Sequence, residues 1–258
     1  MDRQLYDIWK YRALLRELFV TWLKVRHTGS LLGVVWTLVN PAAFILTYWV
    51  VFTYVIKIDL PNYAAFLIPG FLAWNFTWNA ITSACEAVIE GNYLITKIAF
   101  PSEILVLASV GVALFDFLVA LILYLFFATL AGIAFTPIAL ALPLVLFCHV
   151  LFTLGLSLMA ACGSVFFRDI PKLVGIAGLL LFFATPVFYP ESVIPATLRT
   201  VFGLNPFTPF IALYHHVLYY DTAPPAHIVA GTVLLATIMS LAGMVVFRKF
   251  KPLFAEHG

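Results

Sequence analysis

Charge is what this sequence has least of. Only 10% of its 258 residues are Asp, Glu, Lys or Arg, against about 25% in an ordinary soluble domain. Between positions 31 and 56 there is no Asp, Glu, Lys, Arg or His. A soluble globular fold is thereby excluded. Cysteine is equally sparse. Cys85, Cys148 and Cys162 lie in or beside apolar runs, at no metal-ligand spacing, and read as small buried hydrophobes. No G-x-x-x-x-G-K-[ST] loop occurs, so the chain does not hydrolyse ATP by that route. Paired carboxylates and His/Asp sets at catalytic spacing are also missing. His215 and His216 are adjacent, and such neighbours on a helix do not face each other. Neither a catalytic nor a metal site is expected. A net charge of +2 makes no case for a nucleic-acid partner. A cleavable signal is not expected either, because the first apolar run far exceeds the about 7–15 residues of a signal core.

What is present is hydrophobic length. The chain is 64% hydrophobic with a mean hydropathy of +1.06. About 20 apolar residues cross a bilayer as a helix, and several runs reach that length. The expected fold is an all-α membrane protein, one domain over 1–258, with six transmembrane helices at 31–56, 63–84, 104–130, 138–167, 173–189 and 227–247. Residues 1–30 form an N-terminal amphipathic interface helix. Arg3, Lys10, Glu17 and Lys24 recur every seven positions, and Ile8, Leu15 and Trp22 do so on another face. Arg12 and Arg16 fall nearer the apolar face and can snorkel to headgroups. The second span is kinked at Pro69-Gly70 and carries Asn75, Thr77 and Asn79, so one side of it faces protein.

Two segments do not fit the crossing pattern. The polar stretch 85–103 carries Glu86, Glu90, Lys97 and Glu103, and its core is expected to form a short helix that Pro101 ends. The stretch 190–226 is apolar for a loop, with helical pieces at 194–202 and 207–220 too short to cross, and reads as a re-entrant pair. With six spans, 12 of the 14 Lys and Arg lie on one side, leaving Lys57 and Arg199 on the other. The positive-inside rule then puts both termini in the cytoplasm. Asp116 is the sole acid deep inside a span, where a charge costs about 2.5–3.5 kcal/mol on insertion scales. It is either a lining, switching or proton site, or a structural group bonded to a neighbouring helix. Trp36, Trp74, Trp78 and Tyr189, with Asn75 and Asn79, could line a pathway for an amphipathic cargo. Most of the chain's aromatics serve equally well as an interface belt.

At the first span the pattern becomes specific. Lys24-Val-Arg26-His-Thr-Gly29-Ser30-Leu-Leu-Gly33-Val-Val-Trp36-Thr-Leu-Val-Asn40-Pro41 resembles the signature of ABC-2-type permeases that export cell-surface polysaccharides, the O-antigen, capsule and teichoic-acid exporters. Leu94-Ile95-Thr96-Lys97 up to Phe100-Pro101 agrees. So do Phe167-Arg168-Asp169-Ile170-Pro171 and Thr185-Pro186-Val-Phe-Tyr189-Pro190 with Leu204-Asn205-Pro206. Thr96-Lys97-Ile98 departs from the more basic sequence of many members.

The resemblance implies a homodimer in the cytoplasmic (inner) membrane with two copies of a separate ABC ATPase subunit. That subunit binds ATP and Mg; this chain has no cofactor of its own. The implied cargo is a lipid-linked glycan, typically on undecaprenyl diphosphate. Carried over, Glu90, Tyr93, Lys97, Arg168 and Asp169 belong to the ATPase-coupling surface. The basic residues of the N-terminal helix, Arg12, Arg16, Lys24 and Arg26, are expected to attract the diphosphate headgroup. Three alternatives stay open: an ABC-2 exporter of a drug or small lipid, an intramembrane enzyme of lipid-linked sugar metabolism using Asp116 or His149, and a proton-coupled transporter centred on Asp116.

Overall fold

The computed structural model describes residues 9–27, 35–97, 100–133 and 135–254. Segments 1–8 and 28–34, which hold the expected start of the interface helix and of the first span, lie outside the described residues. All regular structure among the described residues is helical. In chain order the helices are α1 (Arg12–His27), α2 (Trp36–Val50) continued by a π-turn (Val51–Val55), α3 (Tyr63–Lys97), α4 (Glu103–Leu130), α5 (Leu142–Phe166), α6 (Ile170–Phe183), the single turn α7 (Arg199–Gly203), α8 (Thr208–Leu218) and α9 (Ala226–Phe250).

Four segments are long and apolar enough to cross a membrane: Leu38–Val55, Glu103–Leu130, Pro137–Phe166 and Ala226–Leu253. Helix α6 is apolar but shorter. Helix α3 is long but polar in part, and it sits at the centre, packed against α2, α4, α5, α6 and α8. Phe66, Leu67, Ala73, Phe76, Ala80, Ala84 and Val88 on α3 are all fully buried or nearly so. A helix carrying Asn75, Thr77 and Asn79 finds partners only inside a bundle, which is why the apolar helices wrap it.

Helix boundaries depart from the sequence pattern in three places. The pattern ends the second span at 84 and separates a polar segment 85–103. The helix instead runs unbroken to Lys97, because nothing between 84 and 97 is a proline and Glu and Lys are good helix formers. The pattern carries the fifth span to 189. Helix α6 stops at Phe183, ahead of Pro186, and Asn205 Nδ2 donates to the helix-end carbonyl of Ala184 at 3.0 Å and to Thr185 Oγ1 at 2.9 Å. In the 190–226 region the helix expected at 194–202 shrinks to Arg199–Gly203. At the far end of α4, Gly132 takes a positive φ of 83° and Ile133 N–H bonds back to Ala128 O, a Schellman stop.

The bundle has two chemically distinct ends. At one, Lys251 Nζ meets Glu103 Oε2 at 2.7 Å, Phe166 packs on Phe250 and Phe254, and Ser164 Oγ reaches Cys85 O. This end gathers Arg168, Lys172, Arg248 and Lys249. At the other, Tyr63 Oη donates to Phe188 O (2.6 Å), Tyr219 Oη to Pro61 O (2.7 Å) and Thr136 Oγ1 to Asp221 Oδ1 (2.7 Å). Helices α3, α5 and α9 all run toward the basic end. Helix α8 enters from the opposite end and is buried from Phe210 to His215. At 11 residues it spans only about 16 Å.

Two details explain how polar backbone survives inside. Pro69 has no N–H to give to the carbonyl four residues back. That carbonyl, Ala65 O, accepts from Tyr124 Oη of α4 at 3.1 Å instead. Deeper in, His149 of α5 bridges Thr77 Oγ1 (2.7 Å) and the Tyr214 hydroxyl of α8 (3.1 Å), all three buried. Thr77 Oγ1 also lies 3.3 Å from Ala73 O. Every donor is used once if Tyr214 donates to Nδ1, Nε2–H donates to Thr77, and Thr77 donates to Ala73 O. The chain thus ties α3, α5 and α8 together.

Elsewhere the helices close by small residues. A Cβ at Gly155 of α5 would strike the backbone of Met239 and Ser240 on α9, and one at Gly243 would strike the backbone of Gly155. This is a small-residue crossing in which backbones touch.

Two outcomes follow for the purified protein in detergent. Tyr124→Phe strands the Ala65 carbonyl and costs about 1–3 kcal/mol. The loss shrinks in a Pro69→Ala background, where the helix regains its own donor, and a double-mutant cycle of melting temperatures measures it. Gly155→Val or Gly243→Val forces α5 and α9 apart at a cost of about 1–3 kcal/mol or more, seen as a lower melting temperature.

Candidate functional site

The functional site candidate is a cleft of about 280 Å³ between α1, α2, α3 and α4. It opens where α1 ends and α2 begins, level with the middle of α4. Helix α1 lies along the first half of α4. Phe19 packs edge-on against Phe115 (6.5 Å) and sits over Gly111, where a Cβ would come within 3.3 Å of its ring. Arg26 lies seven residues, two turns, beyond Phe19 and so reaches the same helix. Its Nη1 stands 3.3 Å from Asp116 Oδ2. The apolar stripe of this helix packs on α4, and Leu18 and Trp22 line a groove with α3, an arrangement compatible with a place in the membrane interface.

Around that ion pair the cleft is lined by Trp36, Asn40 and Pro41 from α2 and by Asn75 and Asn79 from α3, over a floor of Phe76 and Phe117. Asn75 and Asn79 are one turn apart, so both amides look out from one face of α3. Among the described residues no side-chain hydrogen bond within the chain occupies the Asn40, Asn75 or Asn79 amide. Each amide offers two donors and an acceptor. With Trp36 beside them, the set suits a ligand of hydroxyls and C–H faces. Phe76 and Phe117 stack at 5.2 Å, and both lie edge-on to His149 behind them, so the floor rests on the buried His149 chain.

Trp36, Asn75, Asn79 and Asp116 therefore share one site with Arg26. Trp74, Trp78 and Tyr189 lie elsewhere. Trp74 and Trp78 stack on each other (5.1 Å, nearly parallel) among Phe182 and Phe207, and Trp78 Nε1 donates to Val174 O over Gly178. Tyr189 Oη donates to Phe183 O at 2.8 Å. These three are bundle contacts rather than cleft walls. Asn40 is the one amide in the uncharged run 31–56, and that is its signal in the sequence. Phe76 and Phe117 carry no local signal, since phenylalanine is everywhere in this chain.

The other basic residues of α1 are exposed. Arg12 donates to Trp9 O (3.0 Å) and lies 4.9 Å over the Trp9 ring. Arg12, Arg16 and Arg26 fall within an arc of about 80° on the helix; Lys24 lies off it. Glu90 is exposed on α3 beside Leu18 and Trp22 of α1, lining a groove of about 320 Å³. Tyr93 and Lys97 follow in the last turns of α3, and their side chains lie outside what is described. Arg168 and Asp169 are exposed at the same end, in the turn between α5 and α6, where Asp169 pairs with Lys172 at 3.1 Å. Such an exposed pair contributes little to stability. His215 stacks on Phe66 at 3.9 Å, and His216 meets Thr222 Oγ1 at 2.9 Å, so the two rings face different partners.

Comparison with known proteins fits this architecture. The family model described as ABC-2 type transporter matches residues 12–219. A Myxococcus xanthus protein called O-antigen export system permease protein RfbA is 31% identical over 258 residues, 99% of each chain. Two Klebsiella pneumoniae proteins of the same name are 29% identical over 239 residues and 27% over 235, each covering 91% of this chain and 90% of the relative. A transport subunit, not an enzyme, is what the family comprises. With the match covering α1 to the end of α8, this helical membrane chain belongs to the ABC-2 type transporter family.

Proposed function

We propose that this chain is the membrane-spanning permease subunit of an ATP-driven exporter that moves a lipid-linked cell-surface polysaccharide of the O-antigen kind across the cytoplasmic membrane. The observation that carries the proposal is similarity to O-antigen export permeases along practically the whole chain. The cleft is compatible with it: unengaged amides beside Trp36 suit sugars, and Arg26 suits an anion.

In this reading one transmembrane domain crosses six times, by α2, α3, α4, α5, α6 and α9, with α7 and α8 as an external re-entrant pair. The basic end, holding Arg168, Lys172, Arg248, Lys249 and Lys251, faces the cytoplasm, as do both termini. Two copies of the chain assemble with two copies of an ABC ATPase, which binds ATP and Mg. The last turns of α3 from Glu90 to Lys97, together with Arg168 and Asp169, form its docking surface. Because α3 is one continuous helix from that surface past Asn79 and Asn75, a push at its end reaches the cleft without crossing a flexible joint. Arg12, Arg16 and Lys24 gather the diphosphate headgroup and deliver it to Arg26. The glycan passes along the amides and aromatic rings between the two copies, while the lipid tail stays in the bilayer.

Two experiments test this reading. The full chain, gently solubilised from its native membrane, brings down a subunit with ATPase activity, and charge reversal at Glu90 and Asp169 removes that subunit from the eluate. A chain that purifies alone even after crosslinking contradicts the reading. Arg12→Glu with Arg16→Glu abolishes surface display of the glycan while leaving the melting temperature unchanged, since both side chains are exposed. Undiminished display removes the headgroup role.

A further inference from the structure

Asp116 does something more specific than line the cleft. We infer that its carboxylate is a built-in competitor for Arg26, holding in the empty permease the position that an anionic diphosphate headgroup takes when cargo arrives. The inference rests on the export reading above, which supplies the anion.

Four observations lead here. Arg26 Nη1 lies 3.3 Å from Asp116 Oδ2, and the pair is only partly exposed, with side-chain accessibilities of 36% and 17%. It sits in the cleft itself, among Asn40, Asn75 and Asn79, rather than on the lipid-facing surface. A carboxylate and a diphosphate oxygen make the same charge-assisted bond to a guanidinium, so one can replace the other. Asp116 is fixed near the middle of a packed helix, between buried Phe117 and exposed Phe115, whereas Arg26 stands one residue from the end of α1. When the pair opens, Arg26 and the end of α1 are therefore the parts free to move.

The pairing serves two purposes. It neutralises a charge near the middle of a membrane-crossing helix, where charge is costly. It also holds Arg26 at the wall of the open cleft, beside the amides, while no anion is present. An uncharged sugar or lipid offers no such exchange. The pair thus selects for cargo carrying an anion, and Phe19, clamped on Phe115 and Gly111, gives α1 the pivot on which it swings.

The test is a binding cycle on the full chain in lipid nanodiscs, read by calorimetry, with farnesyl diphosphate as probe and inorganic diphosphate alongside. Removing the competitor by Asp116→Asn tightens farnesyl diphosphate binding about tenfold, equivalent to 1.4 kcal/mol. Asp116→Glu stays near wild type. Arg26→Gln weakens binding, and in that background Asp116→Asn changes nothing further.

If Asp116→Asn tightens binding equally with or without Arg26, the carboxylate acts only by general repulsion and the inference is overturned. It is overturned as well if Asp116→Asn weakens binding, or if only inorganic diphosphate shows the cycle, which marks a free-anion site. Binding that all variants share unchanged removes the inference and leaves the export reading intact. No binding of either probe to any variant removes both.

Discussion

Everything in this bundle follows from the burial of α3. It is the most polar of the long helices, one backbone hydrogen bond short at Pro69 and carrying Asn75, Thr77 and Asn79. In lipid those groups would be stranded, so the apolar helices α2, α4, α5 and α6 and the inserted α8 are arranged around it. Each polar group of α3 meets a particular answer. Tyr124 satisfies the carbonyl that Pro69 frees, His149 satisfies Thr77, and the cleft receives Asn75 and Asn79. The first two answers lock α3 to its neighbours. The third leaves hydrogen-bonding capacity unused within the chain, which is what a binding site requires.

The division of labour along α3 is correspondingly clear. Toward Tyr63 it is fixed by aromatic packing: Phe66 on His215, Phe71 against Tyr48 and Phe182, and Tyr63 on Phe188 through its hydroxyl. In its middle, one face is clamped by Trp74, Trp78 and the His149 chain while the opposite face lines the cleft. Toward Lys97 its exposed face turns charged, with Glu86 and Glu90. One helix therefore links a charged end to a polar cleft. The buried floor of Phe76 and Phe117 connects the cleft to α8 through His149 and Tyr214. Close-packed rings and hydrogen bonds thus run without a gap from the cleft to α8.

The N-terminal helix completes the cleft. Phe19 of its apolar stripe packs on α4 while Leu18 and Trp22 line a groove with α3 and α4, which brings Arg26 to Asp116 and leaves Arg12, Arg16 and Lys24 exposed. The two charges that hydropathy alone would treat as separate problems, a basic helix and a lone acid in a span, neutralise each other.

Composition and periodicity alone determined the class: an all-helical membrane chain with a polar helix needing protein neighbours. The first-span block and the Arg168-Asp169 element were enough to place it among polysaccharide permeases, because such short motifs keep residue identity as well as pattern. Four of the apolar runs stand as helices long enough to cross, since apolar length is a local property. Only the tertiary structure decided which aromatics line the cleft. Trp36 and Trp74 look alike along the chain, yet one faces the cleft and the other stacks in the core, and that depends on how helices are rotated against one another. It also decided that α3 runs through to Lys97 and that α6 stops at Phe183, where Asn205, some 20 residues on, caps it. The pairing of Arg26 with Asp116 joins residues ninety apart in sequence. No local pattern encodes such a contact, because it exists only once α1 has been laid along α4 by Phe19 and Gly111.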